Sequence, residues 1–163
     1  MRTKSKYIIG VIVICIILAI VVFPAQAFKV DHLDYSISAN GDAVVSADYE
    51  LTFVEKIALM VPTIKDEVSK AIKTEYGEKS EIITMTETHA QFTIPGFADK
   101  YPTYIQTPCL NFSRIQARVD AYWFIKALNI DYSPTITTIR FFDGTVHTYN
   151  DEMFIPALTL ILK

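Results

Sequence analysis

Residues 28–163 are expected to fold as one α+β domain, a mostly antiparallel β-sheet built from hairpins with one or two covering helices. Three observations predict it. Apolar and polar residues alternate on both sides of Asn40-Gly41-Asp42, and period two about an Asn-Gly is a hairpin signal. An apolar stripe at helical spacing runs from Ile64 to Tyr76 and stops at Gly77. A β-branched and aromatic run turns back at Asp143-Gly144. A hydrophobic helix is expected ahead of the domain, within residues 1–27.

That leader comes first in the chain. MRTKSK is cationic, and Tyr7 to Phe23 follows without a charge. Thirteen of those residues are Ile, Val, Leu or Phe, which together favour membrane entry by about 4–8 kcal/mol. Arg2, Lys4 and Lys6 hold the N-terminus in the cytoplasm, so residues 28 onward are expected outside. Two fates stay open. Pro24 breaks the helix just before Ala25-Gln26-Ala27, an A-x-A pattern that marks signal-peptidase cleavage after Ala27. Kept instead, residues 7–23 are a single-pass membrane anchor, although Ile8–Phe23 makes only about 24 Å of helix against a hydrocarbon core of about 30 Å. Residues 6–22, KYIIGVIVICIILAIVV, resemble the apolar spine by which archaeal pilins pack into filaments. The resemblance covers that run alone and implies a filament subunit; Pro24 departs from a spine that continues as helix into the head.

Leu33, Tyr35 and Ile37, then Val45, Ala47, Tyr49, Leu51 and Phe53, give one hairpin an inward face. Ile64, Val68, Ala71, Ile72 and Tyr76 make the helical stripe, with Pro62 suited to a first turn and Gly77 to a stop. Lys65, Glu67, Lys70 and Lys73 form its solvated face. Residues 80–94 suggest two more strands closed by Pro95-Gly96. The stretch 95–112 shows no clean period. Residues 113–128 support a strand, through the alternation of Ile115, Ala117, Val119, Ala121 and Trp123, or a helix capped by Ser113. Thr135 to Phe142 and Thr145 to Tyr149 make the last hairpin, and Ala157 to Leu162 a final strand.

Composition narrows function more than motifs do. The domain holds twelve basic against eighteen acidic residues, a net charge of −6. Nucleic-acid binding needs clustered cations against phosphate, so it is not expected. Gly41, Gly77, Gly96 and Gly144 each serve a turn or helix stop, leaving none for a phosphate-cradling loop. No cofactor is expected. His32, His89 and His147 are scattered without metal-ligand spacing; a site from Asp31, His32, Asp34 and His147 would need distant strands to meet. No serine stands in a nucleophile motif. Asp48 and Glu50 share a strand face, but alternation already requires polar residues there. Cys15 lies in the leader and Cys109 is the one thiol of the domain, so no internal disulfide is expected there.

The pattern therefore points to a non-enzymatic cell-envelope or surface protein, secreted or membrane-anchored, with a protein or envelope partner. An enzyme whose site assembles only in three dimensions is the alternative. The candidate partner-binding residues are Phe97, Tyr101, Tyr104 and Trp123, because aromatic rings in a proline-held loop give large contact area at low entropy cost. Asn111-Phe112-Ser113 is a sequon, which makes Asn111 a candidate N-glycosylation site.

Overall fold

The computed structural model describes residues 29–51, 56, 62–121 and 133–162. The leader with its Ala27 cleavage point, the Phe53 end of the first hairpin, Trp123 and the disputed element beyond Ala121 lie outside these residues, as does the side-chain placement of Ile64 and Val119.

The Asn-Gly hairpin forms as expected. Strand β1 (Lys29–Ile37) pairs antiparallel with β2 (Ala43–Glu50). Their turn is closed by Gly41 N–H to Ser38 O at 3.0 Å and Ser38 N–H to Asp42 O at 2.9 Å. Asn40 Nδ2 donates to Asp42 Oδ2 at 2.7 Å. Helix α1 (Pro62–Tyr76) ends where the glycine stands: Gly77 takes φ +102° and donates to Lys73 O, the left-handed cap that glycine adopts without a Cβ penalty. Strands β3 (Glu81–Met85) and β4 (His89–Ile94) follow as a second hairpin. Tyr76 closes α1 onto the sheet with its ring 6.1 Å from that of Phe92.

The stretch 95–112 is more ordered than its lack of period suggested. It contains β5 (Asp99–Lys100), β6 (Tyr104–Gln106) and β7 (Leu110–Asn111). Strands this short cannot express a period, so the alternation test misses them. The disputed element is helical where it is described: α2 spans Phe112–Val119. Its start is fixed by Asn111, not Ser113; Asn111 Oδ1 accepts the Arg114 N–H at 2.9 Å. The last hairpin is β8 (Ile136–Phe141) with β9 (Val146–Asn150). The expected final strand is shorter, β11 (Thr159–Ile161), and is preceded by β10 (Phe154–Ile155).

The main sheet runs β3-β4-β2-β1-β8-β9. It is mixed: β1 and β8 pair in parallel, His32 beside Ile136 through Ile37 beside Phe141, and the other pairings are antiparallel. Hairpins alone would have made it antiparallel throughout. The parallel contact arises because β8 enters after a crossover of about a hundred residues, far above the dozen that a parallel connection needs.

One face of this sheet is apolar and covered. Tyr35, Ile37, Ala43, Val45, Ile94, Ile139 and Phe141 meet a second layer made of Ala98, Ile105, Leu110, Phe112, Ile155 and Leu160. That layer is built from two small sheets, β11-β6-β5 and β10-β7, with α2. Burial holds the Tyr35 and Tyr76 phenols above their ordinary pKa and pushes Tyr49 up to about 12; Tyr49 spends its hydroxyl on Thr86 O at 2.7 Å. The other face is polar and tied across strands: Arg140 Nε donates to Asp34 Oδ2 at 2.7 Å, and Gln91 Nε2 to Ser46 Oγ at 3.0 Å.

The β1–β2 turn also fastens the second layer. Asp42 Oδ1 accepts Gly96 N–H at 2.7 Å, Gly41 O accepts Ala98 N–H at 2.8 Å, and Lys100 Nζ donates to Ala39 O at 2.8 Å. Two ends of the sheet are thereby defined. Lys29 marks the end where the leader joins. The Ser38–Asp42 turn marks the far end, about 30 Å away at 3.3 Å per strand residue.

Candidate functional site

The aromatic residues singled out from sequence separate into two kinds. Phe97 lies on the main sheet, its ring stacked on Tyr35 at 5.1 Å and packed against the core. It covers the sheet and is half-buried. Tyr101 and Tyr104 stack on each other at 4.4 Å and 21°. Their backbones close the Pro102-Thr103 turn, with Tyr101 N–H donating to Tyr104 O at 2.8 Å. Tyr101 is 39% exposed. Because Lys100 reaches Ala39, this pair stands at the far end of the sheet.

Three further residues belong to that end, and sequence reading missed them. Ile161 pairs with Tyr104 across β11 and β6 and is 67% exposed. Phe142 and Val146 flank the β8–β9 turn at 49% and 46% exposure. Register places them: Phe141 lies beside Ile37, and Val146 opposite Arg140, itself beside Ser36. Of seven large hydrophobic residues exposed among the described ones, Tyr101, Phe142, Val146 and Ile161 stand at this end, while Ile83, Met153 and Phe154 lie elsewhere. The signal was present in the alternation. Leu160 and Phe141 point inward, which turns Ile161 and Phe142 outward.

Asn111 already has a structural role in its cap, and its side chain is half-buried at the junction of β7 and α2. The cap uses Oδ1, whereas a glycan attaches through Nδ2, so the geometry allows both. Asn111→Asp keeps an N-cap acceptor and is expected to leave stability within about 0.5 kcal/mol, while Asn111→Ala should cost about 1 kcal/mol. Both erase the sequon. Urea titration of the two variants beside a mobility assay separates the cap from a glycan.

The histidines do not converge. His147 faces the core side, edge-on to Phe141 with centroids 6.2 Å apart. His32 faces the polar side, its Nε2 at 3.0 Å from Thr138 Oγ1. The strand pairings carry these two to opposite faces, so the Asp31, His32, Asp34 and His147 combination is not assembled. No group of three or more metal-ligating side chains converges among the described residues. Asp48 does not pair with Glu50; it meets His89 directly across β2 and β4, Oδ1 to Nδ1 at 2.6 Å. Both stand on the open polar face, more than a third exposed. Cys109 is free and exposed.

No known family model, curated protein or solved structure matches the chain. No helix among the described residues is long and apolar enough to cross a membrane.

Proposed function

We propose that this chain is an extracytoplasmic domain, delivered or held by its apolar leader, that acts by non-enzymatic contact with a cell-envelope or surface partner. The observation that carries the reading is that exposed Tyr101, Phe142 and Ile161, with Val146 turned to the polar face, stand at the end of the sheet opposite Lys29, beside the Tyr101–Tyr104 stack. Exposed apolar residues gathered in one region of a surface favour an interaction site. If the leader stays in the membrane, five residues separate Phe23 from Lys29, a reach of at most about 22 Å. The Lys29 end then stays near the bilayer and the apolar end projects away from it. If the leader is cut after Ala27, the same end is free in solution. A filament spine would continue as helix into the head, whereas the chain is already strand at Lys29.

The Asp48–His89 pair is the observation that favours an enzyme instead. It offers a carboxylate-oriented imidazole, the arrangement a general base uses. Both side chains are more than a third exposed, so water reaches the pair.

Export and contact are tested in one experiment. Full-length protein carrying Tyr101→p-benzoylphenylalanine is irradiated on intact cells, and Gln91→p-benzoylphenylalanine on the polar face is the control. A discrete adduct is expected from position 101 and none from 91. Cells are then fractionated and the mature N-terminus read by mass: Phe28 means cleavage, Met1 or Arg2 in membranes means an anchor. Equal adducts from both positions, or a cytosolic chain with its leader intact, would overturn the proposal.

A further inference from the structure

Among the described residues, strand β9 is an edge of the main sheet without the usual protection. Edge strands are commonly blunted by charge, proline, a bulge or short length. The opposite edge, β3, has a register shift between Ile82 and Thr84. Edges of the smaller sheets are two or three residues long. β9 has five residues, VHTYN, in unbroken register with β8 and with no Lys, Arg, Asp, Glu or Pro.

Its hydrogen-bonding side is readable. Thr145 O accepts Phe141 N–H at 2.9 Å, and Asp151 N–H donates to Thr135 O at 2.8 Å. Odd-numbered residues of this segment therefore turn their backbone groups toward β8. In an antiparallel ladder the alternate residues turn theirs away, so Val146, Thr148 and Asn150 present N–H and C=O to the open edge.

We propose that a second copy of this chain occupies that edge, the two β9 strands pairing antiparallel about a twofold axis at Thr148. The strand is self-complementary in this register. Thr148 meets Thr148, a favourable cross-strand pair. Val146 meets Asn150 on the polar face, and His147 meets Tyr149 on the other. No two like charges face one another within β9. The nearest carboxylate before the strand, Asp143, is folded back onto Thr145 through its backbone N–H and hydroxyl. The outward groups of Val146, Thr148 and Asn150 all find partners, and two six-stranded sheets become one. Such a contact is isologous and closes as a dimer without building a fibre.

The twofold axis is normal to the sheet, so it turns one copy end for end. The two Lys29 ends then point in opposite directions. Dimers of this kind join released chains or chains on facing membranes, not neighbours in one bilayer. The pairing itself stands on the edge geometry and does not depend on export.

The test uses full-length protein in detergent. Sedimentation is expected to give twice the chain mass, and Thr148→Lys, which opposes two cations at the axis on an exposed face, to give the single mass. Asn150→Lys serves as a second variant should Thr148→Lys lose its fold by circular dichroism. With Cys15→Ser and Cys109→Ser in place, Thr148→Cys should form a disulfide-linked dimer on mild oxidation. The Cα separation expected for this hydrogen-bonded pair, about 5.5 Å, lies in the range a disulfide spans. A single mass for the parent chain across the micromolar range would overturn the proposal and leave the edge to a different occupant. Association that survives both lysine variants would assign it to the leader or another surface and overturn it equally.

Discussion

Phe112→Ala is expected to destabilise the protein by about 3–5 kcal/mol, the range for removing a large ring from a packed core. Phe112 is 2% exposed and belongs to the central cluster. Its position explains the size of the effect. The residue opens α2, its N–H donates to Met153 O at 3.0 Å, and its ring enters the layer that covers the main sheet. Truncation would leave a cavity between two layers, where two- and three-residue strands contribute little ladder energy of their own. The midpoint of thermal unfolding should fall by about 10–20 °C, at roughly 3–5 °C per kcal/mol for a domain of this size. Phe154→Ala is the control. That ring lies close by in sequence terms of the β10–β7 pairing but is 52% exposed, and its loss should cost within about 0.5 kcal/mol. Equal losses from the two would mean that the second layer is not the seat of the core.

What sequence foretold and what it did not divides along range. The β1–β2 and β8–β9 hairpins and the stop of α1 depend on residues within a few positions: an Asn-Gly, an Asp-Gly, a glycine after a stripe. These are local and legible. The parallel contact of β1 with β8 joins residues about a hundred positions apart, and no local period records which strand will be the neighbour. The same ignorance of register hid the Asp34–Arg140 and Asp48–His89 pairs, since cross-strand partners follow from alignment and a one-residue slip would reverse every side chain. The stretch 95–112 reads from sequence as irregular, whereas its Ala98, Ile105 and Leu110 enter the core, and its aromatic residues could not be sorted. Whether Phe97 faces Tyr35 or water is decided by the fastening of Gly96, Ala98 and Lys100 to a turn more than fifty residues earlier. Ile161 and Phe142 carried an alternation signal, yet their meeting at one end of the sheet is a product of the topology.

That fastening makes Gly41→Ala the second large effect. Gly41 has φ +92°, a region that costs an L-residue about 1–2 kcal/mol. A Cβ there would also press into the carbonyl oxygen of Ala98, well inside contact distance. Ala98 cannot yield easily: it is buried, and its N–H is bonded to Gly41 O. Overpacking of this kind adds about 1–3 kcal/mol, so a total near 3 kcal/mol is expected. Gly144→Ala separates the two contributions. Gly144 has φ +91°, and an added Cβ would meet nothing within 4 Å, so its variant should lose only the conformational part, about 1–2 kcal/mol. The pair therefore measures the contact between the hairpin turn and the second layer. If relief comes by lifting residues 96–100 from the turn, Lys100 leaves Ala39 and the Tyr101–Tyr104 stack loses its place at the far end. Gly41→Ala should then abolish the adduct from position 101 at temperatures where the main sheet is still folded by circular dichroism, while Gly144→Ala retains it. Equal destabilisation of the two glycine variants, with the adduct unchanged in both, would show that the turn does not hold the candidate surface in place.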